Sequence, residues 1–304
     1  MLTVFYPLAV VRWIHFTSMF VLFGSSFFWF YMGAERFSAG PGGLPRALRA
    51  TTILLRVAAP LAAISGIAWL AFILINSTDD IGSVINPEDL RLYFFETPFG
   101  TVSMVRITML VAAVVVAFLP WTNRSWFSAL LHIAAMLLIS QAWLGHAADI
   151  MVTVYSIHVI AAAAWVGGLP PLLFALVEQR HFGPYEAREW SLDILSRYSL
   201  MAMVAVTLIV VSGIANAGFR VAGSFDKLFD TSYGDALFTK IGVVAVMLIL
   251  ASFNRFVAMP RLRAASLKGM GQITRLRYSV ALELVLGVAV LGAAAVLGIT
   301  PPPQ

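Results

Sequence analysis

The sequence contains no cysteine, and this absence removes several kinds of chemistry at once. Disulfide bonds, thiolate metal sites and cysteine nucleophiles all need a sulfhydryl group, so the chain can form none of them. The sequence also lacks the P-loop of ATPases, the HExxH motif of zinc hydrolases and the GxSxG motif of serine hydrolases. We therefore expect neither ATP-driven pumping by this chain nor an enzymatic activity.

Charged residues are the second scarce class. They make up 12% of the 304 residues, whereas hydrophobic residues make up 60%. A soluble protein carries about twice that charged fraction, so the excess apolar surface must face lipid. The net charge of +5 comes from basic residues in loops that flank apolar runs, which is typical of a membrane protein, and we expect no nucleic-acid partner.

Eight apolar runs are long enough to cross a bilayer, because a helix needs about 20 residues to span the hydrocarbon core. They predict an all-α integral membrane protein with about eight transmembrane helices at residues 5–32, 51–76, 102–121, 126–145, 151–178, 198–218, 236–258 and 278–299. Arg12 and His15 interrupt the first run, and no basic region precedes it. We therefore expect a retained span there rather than a cleaved signal peptide.

The charges of the loops predict the orientation of the chain. The loops at 33–50 and 255–277 are basic, whereas those containing residues 79–96 and 226–235 are acidic overall. Basic loops remain in the cytoplasm, so both termini are predicted to be periplasmic.

The two halves of the sequence share short matches in the same order. Gly24 follows His15 by nine residues, as Gly167 follows His158. Further matches pair Ser65-Gly66 with Ser212-Gly213, Arg106 with Lys240, and Ser128 and His132 with Ser279 and Glu283. These matches predict two parallel four-helix repeats, at residues 1–146 and 147–304. Membrane proteins built from repeats commonly place their substrate site between the repeats, near the middle of the bilayer.

Four of the five histidines lie in or at the ends of the predicted spans: His15, His132, His146 and His158, with His181 in a loop. An imidazole in hydrocarbon is costly without a partner, so each is a functional candidate. The alternative is that these histidines only hold neighbouring helices together. The repeat places His15 and His158 at equivalent depths, which favours a ligand or relay role.

Two methionines share helix faces with histidines. Met19 follows His15 by four residues, and Met136 follows His132 by four. Thioether with imidazole suits Cu(I), whereas imidazole alone suits Cu(II), zinc or haem iron. Simple packing is the alternative for methionine. The predicted metal ligands are His15, His132, His146, His158, Met19 and Met136.

Other polar residues also fall within the spans. Arg106 and Lys240 lie near the outer ends of their spans, where we expect them to snorkel to the interface. Arg56 and Glu283 lie in the inner half, where they could form an ion pair. Glu283 has the repeat position of His132, so it could instead be an inner relay or an exit ligand.

Three stretches of the second half resemble the copper resistance protein D family (CopD/PcoD). They are 145–147 with 158–169 (HVIAAAAWVGGL), 231–255 from TSYG through Lys240 to FNR, and 279–303 from SVALE to the terminal prolines. The first span, with Arg12-Trp13-Ile14-His15 and Gly24, is similar to the opening helix of that family.

The resemblance implies a bacterial inner-membrane protein that moves copper from the periplasm towards the cytoplasm, in cooperation with a small periplasmic CopC-type carrier. We expect no such carrier domain in this chain, because the sequence begins at the first span. The family does not fix the ligands. We expect copper, as Cu(I) or Cu(II), to be captured near His146, coordinated between the halves by His15 and His158, and passed inward along Met19, His132 and Met136.

Two other functions remain open. A b-type cytochrome holds haem b between histidines on different helices, which His15 with His158 or His132 could provide. A structural or sensory subunit would use its histidines only to stabilise the bundle. Purified haem protein shows a Soret band that shifts on reduction by dithionite, whereas a copper site predicts colourless protein with stoichiometric copper.

Overall fold

A computed structural model describes residues 2–33, 46–144, 149–178, 184–221, 228–229, 231–264 and 270–301. Within these ranges the chain is helical and contains no β-strand, which confirms the predicted all-α class. Eight helical segments are long and apolar enough to cross a membrane: Tyr6–Met32, Arg46–Thr78, Phe99–Phe118, Arg124–Trp143, Met151–Glu178, Arg188–Gly218, Ser232–Ala264 and Gly271–Leu297. The chain is therefore a multi-pass membrane protein, as predicted, and the orientation of its termini stays a prediction.

The part of the chain that the structure describes contains eleven α-helices, and all of them except the short helix Pro87–Arg91 contribute to these spans. They are α1 Leu2–Met32, α2 Arg46–Thr78, α3 Pro87–Arg91, α4 Pro98–Phe118, α5 Arg124–Ser140, α6 Asp149–Gly167, α7 Leu169–Glu178, α8 Pro184–Val221, α9 Ser232–Phe253, α10 Met259–Ala264 and α11 Met270–Leu297. The fifth span joins α6 and α7 across Gly168. The seventh joins α9 to α10 through a wider turn at Asn254–Ala258.

The same local sequence starts a helix in each half. Thr97 and Thr231 have extended backbones, and their hydroxyl oxygens accept hydrogen bonds from the backbone N–H groups of Gly100 (3.1 Å) and Gly234 (3.2 Å). Each bond satisfies an N–H group that lacks a partner at the start of a helix. The matching tetrapeptides therefore have the same structural role, as N-caps of α4 and α9.

Glycines allow α1 and α6 to pack closely at the centre of the bundle. A Cβ atom added at Gly24 would overlap the backbone of Ala163 and Gly167, and one at Gly167 would overlap the carbonyl oxygen of Phe20. The Ser25 hydroxyl also donates to the Gly167 carbonyl oxygen at 2.9 Å. Small residues of this kind bring helix backbones together in membranes, where the hydrophobic effect does not drive association.

The predicted ion pair between Arg56 and Glu283 is wrong. Arg56 donates to the carbonyl oxygens of Ala117 (3.2 Å) and Leu119 (3.4 Å) at the end of α4. The last carbonyl groups of a helix lack partners within the helix and carry partial negative charge, so a guanidinium group stabilises them. Glu283 instead accepts a hydrogen bond from Asn254 at 2.5 Å.

A carboxylate from the second half holds the start of α2. Glu178, the last residue of α7, accepts hydrogen bonds from the backbone N–H groups of Arg46 (2.8 Å) and Ala47 (3.0 Å). An anion at a helix N-terminus is favoured by the helix dipole. Helix α7 also packs against α1, α2 and α11, so it connects the two sets of helices.

Candidate metal site

His15 lies on α1 and is completely buried. Its Nδ1 atom lies 3.1 Å from the carbonyl oxygen of Ala62 and 3.3 Å from the hydroxyl oxygen of Ser65, both on α2. The Ser65 hydroxyl donates its own proton to the Leu61 carbonyl, so towards the imidazole it can only accept. The proton of the neutral ring is therefore on Nδ1, and the Nε2 atom keeps the lone pair that could bind a metal.

Arg106 occupies the space in front of that lone pair. Its Nη2 atom lies 3.3 Å from His15 Nε2, and its Nη1 atom donates to the Leu137 carbonyl (2.9 Å) and the Ser140 hydroxyl (2.5 Å). Only 2% of the Arg106 surface is exposed, so the expectation that it snorkels to the interface is wrong. The cause is the end of α5, which supplies buried oxygen acceptors that the guanidinium reaches from α4.

Aromatic and glycine contacts close the pocket around His15. The Trp69 ring lies 5.5 Å from the imidazole, and the guanidinium groups of Arg12 and Arg106 lie 4.7 and 5.8 Å from the same indole. These distances allow cation–π attraction. A Cβ atom at Gly66 would lie only 3.0 Å from Cε1 of His15. The first half therefore surrounds its imidazole with tightly packed groups and positive charge.

His158 has an equivalent setting on α6. Its Nδ1 atom lies 3.1 Å from the Ser212 hydroxyl on α8, and that hydroxyl donates to the Leu208 carbonyl. The Ile209 carbonyl lies beside the ring, as Ala62 does for His15. The same reasoning places the proton on Nδ1 and leaves Nε2 as the basic nitrogen.

The pocket of His158 is more open than that of His15. His158 is only partly buried, and a Cβ atom at Gly213 would keep 3.3 Å from its ring. Lys240 interacts with the imidazole electrostatically. The helices thus bring together the residues that the sequence repeat matched: histidine, serine-glycine and a cation. This correspondence agrees with the predicted duplication, but the duplication and its boundaries both stay predictions.

The two imidazoles face their own halves. α2 and α4 contact the ring of His15, whereas α8 contacts the ring of His158. Within the described part of the chain, no hydrogen bond or ring contact joins the two. The structure therefore provides two separate imidazole pockets, and it does not show the single shared site that the sequence suggested.

The remaining predicted ligands are scattered. Met19 is fully buried on α1, one turn from His15. His132 and Met136 lie on an exposed face of α5, where Nδ1 of His132 bonds the Ser128 carbonyl of its own helix at 2.7 Å. The structure therefore does not bring these two residues to the buried His15 and Met19. His146 lies outside the described residues, as does His181.

Sequence reasoning did not assign roles to Ser65, Ser212 and Trp69. The signal for the serines was present, because both recur in the repeat beside a glycine. Hydropathy gives the depth of a residue but not the side of the helix on which it lies, so the contact of Arg106 with His15 was not predicted. Among the residues that the structure describes, no group of three or more His, Asp or Glu side chains could hold a metal ion.

Comparison with known proteins identifies the family. Residues 1–152 match the model of the copper resistance protein D-like N-terminal domain, and residues 192–297 match that of copper resistance protein D. The chain belongs to the copper resistance protein D family. This confirms the resemblance drawn from the sequence motifs.

Three curated relatives have similar sequences. Copper resistance protein D of Pseudomonas syringae pv. tomato is 31% identical, with 97% of each chain covered. Inner membrane protein YebZ of Escherichia coli (strain K12) is 29% identical over 83% of this chain and 84% of its own. Copper transport protein CutJ of Bacillus subtilis (strain 168) is 28% identical over 75% of this chain, which spans 41% of CutJ. No solved structure matches the chain.

Proposed function

We propose that this protein transports copper ions across the bacterial inner membrane, from the periplasmic side towards the cytoplasm, without enzymatic catalysis. The names of three relatives support a role in copper handling at the inner membrane. Two of them refer to copper resistance or copper transport, and one refers to the inner membrane. The loop charges support periplasmic termini. A CopC-type carrier would deliver copper from outside.

The orientation of the His158 ring is the observation that carries the proposal. Histidines that bind metals usually donate their second ring N–H to a carbonyl, carboxylate or water, which fixes the tautomer and the direction of the ring. Ser212 fixes His158 in this way, within a partly buried pocket. Its Nε2 atom therefore keeps a lone pair that could bind copper.

His15 is the second proposed ligand, and it is closed in this conformation. A copper ion on Nε2 would lie beside the Arg106 guanidinium, and two cations at such a distance repel strongly inside a protein. Arg106 is also anchored on Leu137 and Ser140 through Nη1, so Nη2 would leave His15 only by a rotation of the guanidinium group about those two bonds. Copper would therefore bind His158 first and reach His15 only after Arg106 has turned away.

Replacing His158 with Ala tests the proposal, and His132→Ala is the matched control. Both changes remove an imidazole from a span, but His132 is exposed and bonded to its own helix. We expect His158→Ala to weaken copper binding at least about tenfold and to lower cellular copper accumulation, and His132→Ala to change neither. Metal analysis of washed cells and titration of purified protein measure both effects. Equal results for the two variants would contradict the site.

Metal and spectral analysis of the purified protein separates copper from haem. The proposal predicts copper bound after loading and no Soret band. A Soret band that shifts on reduction would replace this proposal with the cytochrome alternative. A haem iron at His15 would meet the same obstacle as copper, because Arg106 faces the Nε2 atom.

A further inference from the structure

Glu283 is a buried carboxyl group that the proposed copper path does not use. It lies near the middle of α11, and 4% of its surface is exposed. Asn254, in the wide turn after α9, donates to Oε1 of Glu283. Among the residues that the structure describes, this amide is its hydrogen-bond partner and no cation forms an ion pair with it. An ionised carboxylate without a counter-charge is costly within a membrane.

The nearest cationic and phenolic groups are directed elsewhere. Arg255, next to Asn254, donates to the Ser199 hydroxyl at 2.6 Å. Arg277, on the same helix as Glu283, donates to the Leu176 carbonyl at 2.6 Å. The Tyr198 hydroxyl donates to the Trp165 carbonyl at 2.5 Å. The groups that could neutralise Glu283 thus have neutral oxygen partners.

Three of the helices that pack against α11 carry few charged residues. In α1 no charged residue follows His15, in α7 the one charged residue is Glu178, and in α9 none follows Lys240. The remaining titratable or charged groups of the helices that contact α11, and of α11 itself, are Tyr6, Arg12 and Tyr31 on α1, Asp149, Tyr155 and His158 on α6, Tyr185, Glu186, Arg188, Glu189, Asp193, Arg197 and Arg220 on α8, Tyr233 and Asp235 on α9, Arg261 and Arg263 on α10, and Arg275 and Tyr278 on α11. Arg197 pairs with Asp193, and Glu178 caps α2.

The amide of Asn254 has an unused acceptor beside this carboxyl group. Its Oδ1 atom is buried and has no hydrogen-bond partner within the described residues, and the same holds for the hydroxyl of Ser279, one turn from Glu283 on α11. An ionised carboxylate can only accept, so it uses the N–H of the amide and leaves Oδ1 unpaired. A protonated carboxyl group both accepts from Nδ2 and donates to Oδ1, which completes a two-bond acid–amide pair.

Glu283 also lies at a different depth from the proposed copper ligand His158. A Cβ atom at Gly287 would touch Val166, so these two residues share a depth. Glu283 lies one turn from Gly287 on the predicted cytoplasmic side, whereas His158 lies about 12 Å from Val166 on the opposite side, at 1.5 Å per residue. The carboxyl group is therefore about 18 Å further along the axis of the bundle than the proposed copper ligand.

We propose that Glu283 exchanges a proton for the passing ion: it is protonated and paired with Asn254 when the interior is empty, and it releases that proton to the surrounding water when copper approaches. The carboxylate is stable in the interior only while a cation is near, so proton and copper occupancy exclude each other. This inference rests on the proposed copper transport for its second step, whereas the protonated state of Glu283 does not depend on it. The ligand that we assign to Glu283 is therefore a proton.

Infrared spectroscopy of the purified protein in lipid nanodiscs tests the first step. We expect the C=O stretch of a protonated carboxyl group in copper-free protein at neutral pH, absent in Glu283→Gln and unchanged in Glu189→Gln. Glu189 is an exposed carboxylate on α8, so the control makes the same chemical change. Asn254→Leu should keep the band but shift it to higher frequency, as expected for an acid that has lost its hydrogen bonds. Absence of the band in the wild-type protein, or its survival in Glu283→Gln, would overturn the proposal.

Proton release on copper addition tests the second step. In weakly buffered solution, copper should acidify wild-type and Glu189→Gln samples and have a much smaller effect on Glu283→Gln that still binds copper. Copper binding without proton release in the wild type would overturn the exchange. If no variant binds copper, the transport proposal fails with the exchange step, while the infrared result still decides whether Glu283 holds a proton.

Discussion

The two halves of the molecule hold His15 and His158 with the same kind of hydrogen bond but differ in how far they expose them. In both, a serine hydroxyl on the neighbouring helix accepts from Nδ1, so Nε2 is the nitrogen that carries the lone pair. In the first half Arg106 covers that nitrogen and the pocket is sealed, whereas the pocket of His158 is partly open. The same arrangement of histidine and serine therefore occurs in one closed and one more open pocket, and in the closed one the Arg106 guanidinium lies against Nε2.

A second pair of equivalent positions differs more strongly. His132 is exposed on α5 and bonded to its own helix, whereas Glu283 is buried on α11 and bonded to Asn254. The neighbouring asparagines differ as well: Asn123 caps α5 by accepting from the N–H group of Trp126, whereas Asn254 turns its amide to the carboxyl group. At this pair of positions the ionisable side chain is therefore buried in the second half and exposed in the first half.

Replacing Arg106 with Gln should give the largest effect on this comparison. The change removes the buried donor of hydrogen bonds to Leu137, Ser140 and His15. Buried acceptors that lose their donor each cost about 1–3 kcal/mol, so we expect a loss of about 4 kcal/mol in stability. The equivalent change Lys240→Gln, at a half-buried position, should cost less than about 1 kcal/mol. Unfolding of both variants in one detergent measures the difference.

Comparison of Arg106→Gln with the wild-type protein also tests whether Arg106 closes the pocket of His15. If Arg106 keeps copper from the first pocket, Arg106→Gln that folds should bind more copper per chain than the wild type. Equal copper stoichiometry in the two proteins would show that the first half has no metal-binding role.

Replacing Gly24 with Ala tests the close packing of α1 against α6, to which each half contributes one glycine. A Cβ atom there overlaps the backbone of α6, so the helices must separate at a cost of about 3 kcal/mol. Gly167→Ala should cost about as much, because it meets the backbone of α1. Gly242→Ala meets nothing within 4 Å and should be neutral or stabilising. Thermal unfolding midpoints would rank the three, and a harmless Gly24→Ala would contradict the close packing.

Alanine at Gly66 and Gly213 gives the smallest and most direct comparison of the two pockets. At Gly66 the new Cβ atom would lie 2.8 Å from Leu110 Cδ1 and 3.0 Å from the His15 ring, and we expect a loss of about 1–2 kcal/mol. At Gly213 the nearest atom is 3.3 Å away, so Gly213→Ala should be close to neutral. Stability measurements on both variants decide the point; similar losses would mean that the second pocket is as tight as the first.

Hydropathy predicted the helices well because each span needs a long apolar run. Their ends were less predictable: α8 begins at Pro184 and α11 at Met270, well before the apolar runs at 198 and 278. Helices continue past the hydrocarbon because their polar turns are hydrogen-bonded whether or not lipid surrounds them. The ends of apolar runs therefore mark the bilayer rather than the helix.

The candidate site was predictable in its residues more than in its contacts. The repeat identified His15, His158 and the cations at matching positions, because equivalent residues keep equivalent depths. It could not indicate that each ring faces its own half, since rotation about a helix axis depends on partners distant in sequence, such as Ala62 and Leu137. The same limit explains why Arg56 and Glu283 were paired with each other.

The capping of α2 by Glu178 restricts how the molecule can move. Helix α7 continues the chain of the second half, yet its last carboxylate holds the first turn of α2 and its side packs on α1. If the two four-helix sets moved as independent rigid bodies, α7 would have to slide against α1 and α2, or Glu178 would lose both of its hydrogen bonds to the start of α2. Rotation of a single side chain such as Arg106 would leave the bonds of Glu178 intact, so this architecture favours side-chain motion within a largely stationary set of helices.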